Sequence, residues 1–153
     1  MRNGFWILLL LLAGSGCATS SSWITFPDNQ GGHGVTLEQW LKAHPMSAVQ
    51  QIADQEISRG EGGSTHIIQL RTGHPMHVHQ QHDLIAILLQ GRGTLTLDSR
   101  RLELKPGAIV SIPRGVPHAF QTKGSEPAVA YVTYFPSYDG IDTIPVPEPQ
   151  KKK

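Results

Sequence analysis

The sequence predicts an all-β fold, an antiparallel barrel or double-sheet sandwich, preceded by one short helix. Three observations lead there: many short strand-like runs, turn residues punctuating them at close intervals, and a single segment with helical periodicity. The 153 residues suit one domain, and a chain of this length buries a core without staples. The formal net charge is +1, so nothing points to a nucleic-acid surface, and the basic run Lys151 to Lys153 is short enough to be simply solvated.

The helix is read over Thr36 to His44. Thr36 and Gln39 have capping-box spacing, Leu37, Trp40 and Leu41 share a face, and Pro45 stops the segment. Strands follow at Ala48 to Ala53, Thr65 to Arg71, Met76 to His79, Leu84 to Leu89, Thr94 to Asp98, Arg101 to Leu104, Ala108 to Ile112, His118 to Thr122 and Ala128 to Phe135. The alternations of Leu95 with Leu97 and of Leu102 with Leu104 mark half-buried strands. Leu84 to Leu89 is apolar on both faces, which implies cover from outside the barrel and, with it, a homodimer. From Pro136 onward four prolines bar the chain from a central strand, so residues 137–153 are expected to form a Pro-rich extended tail, resting on an edge or on a neighbouring subunit.

The first sixteen residues have the form of an export signal: Arg2, an apolar run from Phe5 to Ala13 too short to span a bilayer, then Gly14, Ser15, Gly16 and Cys17. Cys17 is the only cysteine, so no internal disulfide explains it. The segment resembles a bacterial lipoprotein signal, in which the cysteine after small residues is lipidated, although Gly14 stands where that family usually has a larger aliphatic residue. The resemblance implies residues 1–16 as signal, 17–26 as lipidated N-terminus and tether, and anchoring at the cell envelope facing the periplasm. A soluble secreted or periplasmic protein is the alternative.

Two runs carry the chemistry. In Gly73 to Gly91, GHPMHVHQQHDLIAILLQG, His77 and His79 lie two apart on a strand and present both rings to one side. In Gly107 to His118, GAIVSIPRGVPH, Pro113, Gly115 and Pro117 build a rigid turn, with Gly115 admitting a tight backbone that a side chain would obstruct, and His118 follows it inward. Three neutral imidazoles converging on one point make a metal site.

These runs are similar to the two motif segments of the cupin superfamily, over roughly Ser64 to Phe135. The resemblance implies a double-stranded β-helix, or jelly-roll barrel, spanning residues 27–136, commonly dimeric, with a metal in the barrel mouth held by two histidines, a glutamate and a third histidine. By position the histidines are His77, His79 and His118. Two departures stand out: Gly73 lies four rather than six residues before the first histidine, and the glutamate position falls on Leu84. Three arrangements then remain open. The set is three histidines with Leu84 as a dry wall; or His82 or a bulged Asp83 completes it; or the barrel holds no metal. Asp83 would face outward on a regular strand, whereas His82 has the parity of Leu84.

Neutral nitrogen ligands favour a divalent transition metal, iron first, with zinc, nickel or copper as alternatives. Phe120 shares the parity of His118 and is expected in the pocket; Gln69, Arg71 and Tyr131 are polar candidates for the interior. His74, beside Pro75, is expected to be exposed, and His33, His44 and His66 to be structural or solvent-facing. No phosphate loop, carboxylate pair or Ser-His-Asp arrangement is apparent. The expectation is a metal-binding lipoprotein acting on an unidentified small molecule, resembling the ferrous dioxygenases of the family, or a non-catalytic module binding a small molecule or metal.

Overall fold

The computed structural model describes residues 23–26 and 33–147. The signal segment, Cys17 and the terminal lysines lie outside the described residues. Twelve strands and one helix are present among those described: β1 (Trp23–Phe26), β2 (His33–Thr36), α1 (Leu37–Ala43), β3 (Ile52–Arg59), β4 (Ser64–Leu70), β5 (Gly73–Val78), β6 (Asp83–Gln90), β7 (Gly93–Leu97), β8 (Arg100–Leu104), β9 (Ile109–Ile112), β10 (His118–Thr122), β11 (Ala128–Phe135) and β12 (Ile144–Pro145).

Two five-stranded antiparallel sheets, in the orders β12-β5-β10-β7-β8 and β3-β4-β11-β6-β9, enclose the interior, and β1 pairs with β2 separately. This is the double-stranded β-helix. Alternation decides which side chains meet inside: Ile68 and Leu70 on β4, Ala86 and Leu88 on β6, Ala130 and Val132 on β11 all line the central cavity. Leu84, Leu95, Ile112, Val132, Tyr134 and Tyr138 form a buried cluster, and four of them, Leu95, Ile112, Val132 and Tyr134, also line the cavity.

Helix α1 forms where its capping box predicts. The Thr36 side chain accepts from the Gln39 amide, the Gln39 side chain accepts from the Thr36 amide, and His44 caps the other end. Leu37 and Trp40 are buried against Ile67 and Val129 on the outside of the second sheet. At about 1.5–3 kcal/mol per buried large apolar side chain, this packing rather than seven residues of helix propensity holds α1 in place.

Strand β3 departs most from expectation, since Ile52–Arg59 replaces Ala48 to Ala53. Its charged residues are those of an exposed outer strand, and its ladder to β4 supplies the order that its own hydrophobicity does not. Gln69, Arg71 and Tyr131 also turn outward, contrary to expectation. Gln69 donates to the His44 carbonyl, Arg71 donates to the Gln50 and Ser47 carbonyls, and Tyr131 packs with the cluster under α1. One residue of register separates them from inward-facing Ile68, Leu70, Ala130 and Val132.

The Pro-rich segment does reach an edge. Ile144 and Pro145 pair with Val78 and His77 on β5, so the sheet gains a strand beside the histidines.

A candidate metal centre in the barrel mouth

Strand β5 supplies His77 with His79 just beyond its end, and β10 supplies His118 as the direct cross-strand partner of His77. Their ring centroids lie 4.1 Å (His77 and His118), 5.0 Å (His77 and His79) and 5.3 Å (His79 and His118) apart. One ligand nitrogen from each falls within 4.8 Å of the others, and all three residues are buried. This donor set can hold a metal ion.

What makes the set more than a cluster is the other nitrogen of each ring. Nδ1–H of His77 donates to the Pro75 carbonyl at 2.7 Å, that of His79 to the Asp142 carbonyl at 2.6 Å and that of His118 to the Val116 carbonyl at 2.9 Å. Because a carbonyl only accepts, each Nδ1 must carry the proton, leaving Nε2 as a lone pair. Burial reinforces the neutral form. Desolvation, with the nearby His74 and His118 charges, pushes His77 down to about 3; desolvation takes His118 to about 4; and burial lowers His79 although Asp142 opposes it.

The turn before His118 is tied to the first run. Gly115 takes φ +77°, and its amide donates to the His79 carbonyl at 2.6 Å. An added Cβ at Gly115 would meet nothing within 4 Å, so glycine is required there for backbone sign, not for the space expected from sequence.

His82 and Asp83, the other residues considered as ligands, are engaged elsewhere. His82 is buried with Nδ1 2.6 Å from Asp142 Oδ2 and Nε2 3.2 Å from the Ser137 carbonyl, and both members of the His82–Asp142 pair are almost wholly shielded. Asp83 faces outward, accepting from the Arg114 amide and guanidinium, which holds its carboxyl down to about 2. Leu84 shares the inward face of β6 with Ala86 and Leu88 and is buried opposite Tyr134, in the apolar cluster that adjoins the cavity. Phe120 lines the cavity as expected.

Asp142 was not legible as a site residue. Its carboxylate accepts from the Gln80 amide at 3.0 Å, the Gln81 amide at 2.8 Å and His82 Nδ1, while its carbonyl accepts from His79. Burial alone would raise its carboxyl, yet the bonds from His82, Gln81 and Gln80 hold it below the ordinary value. The only sequence signal was the position of an acid in a Pro-rich tail, which cannot reveal a contact more than sixty residues distant.

Of two further histidines, His74 differs from expectation and His66 is structural as expected. His74 is half-buried rather than exposed, lines the cavity, and has its ring centroid 3.9 Å from that of His77. His66 is buried, and with its neighbours forms the Ser-His-Asp arrangement that sequence spacing did not reveal: Ser64 Oγ lies 2.9 Å from His66 Nε2, and Asp54 Oδ1 lies 2.7 Å from His66 Nδ1. Ser64 is completely buried and its oxygen also accepts from the Tyr138 amide, so nothing reaches it. The trio is a structural tie between β3, β4 and the segment after β11.

The cavity mouthed by the histidines measures about 100 Å³ and is walled by aliphatic side chains with Phe120 and Tyr134. No Asp, Glu, Lys or Arg lines it among the described residues.

Comparison with known proteins agrees with this architecture. The cupin-domain family profile matches residues 65–134. An uncharacterised protein of Aquifex aeolicus (strain VF5) is 32% identical over 110 residues, covering 72% of this chain and 89% of its own. Among solved structures, a protein with a double-stranded β-helix domain from Klebsiella pneumoniae aligns with TM-score 0.58 at 15% identity, over 69% of this chain and 95% of that one. Pac13, described as a nucleoside dehydratase, aligns with TM-score 0.51 at 9% identity over 63% of this chain and 88% of that one. These two structures share the fold. With both motif runs inside the matched segment and the histidines they carry meeting at one point, the chain belongs to the cupin superfamily.

Proposed function

We propose that the protein is a metal-dependent cupin in which His77, His79 and His118 hold a divalent transition ion, iron first, and which acts on a small, mostly apolar molecule in the manner of a ferrous dioxygenase. The observation that carries this reading is the set of three Nδ1–H bonds to carbonyls, which fixes the ligating tautomer at every ring. A metal held by these three rings would supply Lewis-acid chemistry toward substrate and dioxygen. The chain's own part is to hold the rings, to exclude water through the aliphatic walls, and to keep the donor set neutral by having Leu84 where a glutamate would bring charge. Three neutral nitrogens favour iron, zinc, nickel or copper over magnesium or manganese.

The competing reading is a non-catalytic module that binds a small molecule or metal. It draws on the same Leu84, since loss of an anionic ligand weakens metal affinity. The nucleoside chemistry of Pac13 is not carried over: apart from its histidines and Tyr134, this cavity's wall is apolar and offers a nucleoside few partners. Full-length protein reconstituted anaerobically with ferrous iron, then exposed to oxygen with a panel of small molecules, separates the two. Substrate-dependent oxygen consumption lost in His118→Ala supports the enzyme; saturable ligand binding without oxygen consumption supports the module.

We also propose lipid attachment at Cys17, which places the barrel at the envelope, facing the periplasm. Cys17→Ser should then move the protein out of the membrane fraction, and unchanged retention contradicts it. A homodimer is proposed through the outer face of β6 and β9, where Ile85 and Ile109 are 39% and 70% exposed on adjoining strands. Sedimentation of Ile109→Asp as a monomer beside a dimeric parent checks it.

A further inference from the structure

Within this apolar cavity two polar side chains stand apart from the three ligands. His74 should not face inward at all. It lies three residues from His77, and on a regular strand residues an odd number apart point to opposite faces. The pairing shows why it does: His118 is opposite His77 but Phe120 is opposite His74, so β5 carries one extra residue, a β-bulge that re-aims His74 to the side of His77. Gly73 begins this stretch at φ +129°, where a side chain would collide with the Phe120 carbonyl. Tyr134 is 5% exposed and comes from the opposite sheet.

Neither the His74 nitrogens nor the Tyr134 hydroxyl makes a hydrogen bond among the described residues, whereas every fully buried side-chain polar atom is satisfied. These groups therefore border open space, and the space they share is the cavity. Unpaired polar groups on an otherwise apolar wall are costly unless something in the cavity pairs with them.

We propose that His74 and Tyr134 read the head group of the ligand, which is a neutral, mostly apolar molecule bearing one hydroxyl or carbonyl. The aliphatic wall takes its body, and in the metal-free cavity the absence of charged lining residues leaves an anion without a partner and gives a polyhydroxylated molecule too few. This deepens the proposed function by naming the substrate class of the same cavity, but it does not need the metal.

The test uses full-length protein, stripped of metal, with three probes of one ring size: phenol, toluene and benzoate. Titration calorimetry should show phenol bound about three- to tenfold more tightly than toluene, the range one hydrogen bond gives, and benzoate more weakly than either. In His74→Leu combined with Tyr134→Phe, phenol should fall to toluene's affinity while toluene binding is kept, which a collapsed barrel would not do. Parent selectivity keeps the proposal open to refutation even if the variant does not fold: equal binding of phenol and toluene, preference for benzoate, or binding of neither overturns it, as does a folded variant that keeps the phenol preference, which the open Nε2 atoms of the three ligands would then explain. Failure of iron loading with phenol selectivity intact would instead count against the metal reading alone.

Discussion

Replacing Asp142 with alanine is expected to damage stability and the site together, and the two effects can be measured separately. Three hydrogen bonds end on its carboxylate, one of them from His82 in a pair whose side chains are 3% and 2% exposed. Removing one partner of such a pair leaves the other buried and uncompensated, a loss of about 3–5 kcal/mol. Asp142→Asn keeps the shape and one acceptor oxygen, and should cost about 1.5–3 kcal/mol, the range for hydrogen bonds to charged groups. Against a total stability of roughly 5–15 kcal/mol these are large fractions, readable by urea unfolding of the metal-free protein followed by tryptophan fluorescence. The second effect follows from the backbone: the same residue's carbonyl accepts from His79 Nδ1–H at 2.6 Å, so loosening the 80–82 and 139–143 segments frees that ring. Metal affinity should fall about 10- to 100-fold, the usual consequence of losing a ligand's supporting partner. A loss below about 1 kcal/mol for Asp142→Ala would refute the buried-pair argument. Normal metal affinity in a destabilised variant would refute the link to His79.

Further outcomes follow from the same geometry. The metal-free protein should lose stability as pH falls from about 6.5 toward 4: His77 and His118 protonate in the folded state only near 3 and 4, while the unfolded chain binds protons near 6.5, so acid favours unfolding in that window. Melting temperatures at several pH values check this; a curve flat across the window contradicts it. Gly73→Ala meets both a positive φ and the Phe120 carbonyl and should lower stability more than Gly115→Ala, which meets only the φ and should cost about 1–2 kcal/mol. Ser64→Ala should reduce unfolding stability by about 1–3 kcal/mol while leaving metal affinity unchanged, because its bonds to His66 and the Tyr138 amide hold strands rather than the site.

The barrel and its three histidines were legible because their signals are local. Parity along β5 and β10 places His77, His79 and His118, and the capping box places α1. What was hidden depends on contacts distant in sequence or on register. The bulge that turns His74 inward is visible only when β5 is paired with β10. Asp142 reaches the site because β12 docks beside β5, and Gln69 and Tyr131 face outward because alternation along β4 and β11 gives the interior to Ile68, Leu70, Ala130 and Val132. Ser64, His66 and Asp54 meet through the ladder between β3 and β4, whose sequence gave little sign of a strand.

Equilibrium metal titration of the full-length chain, purified without a histidine tag, decides whether three histidines with fixed tautomers hold one transition ion. One ferrous ion per chain is expected, lost in His118→Ala and retained in Asp83→Asn, because Asp83 faces outward to Arg114. Failure of the parent chain to bind iron, zinc, nickel or copper under reducing, metal-replete conditions would contradict it, as would binding that survives His118→Ala.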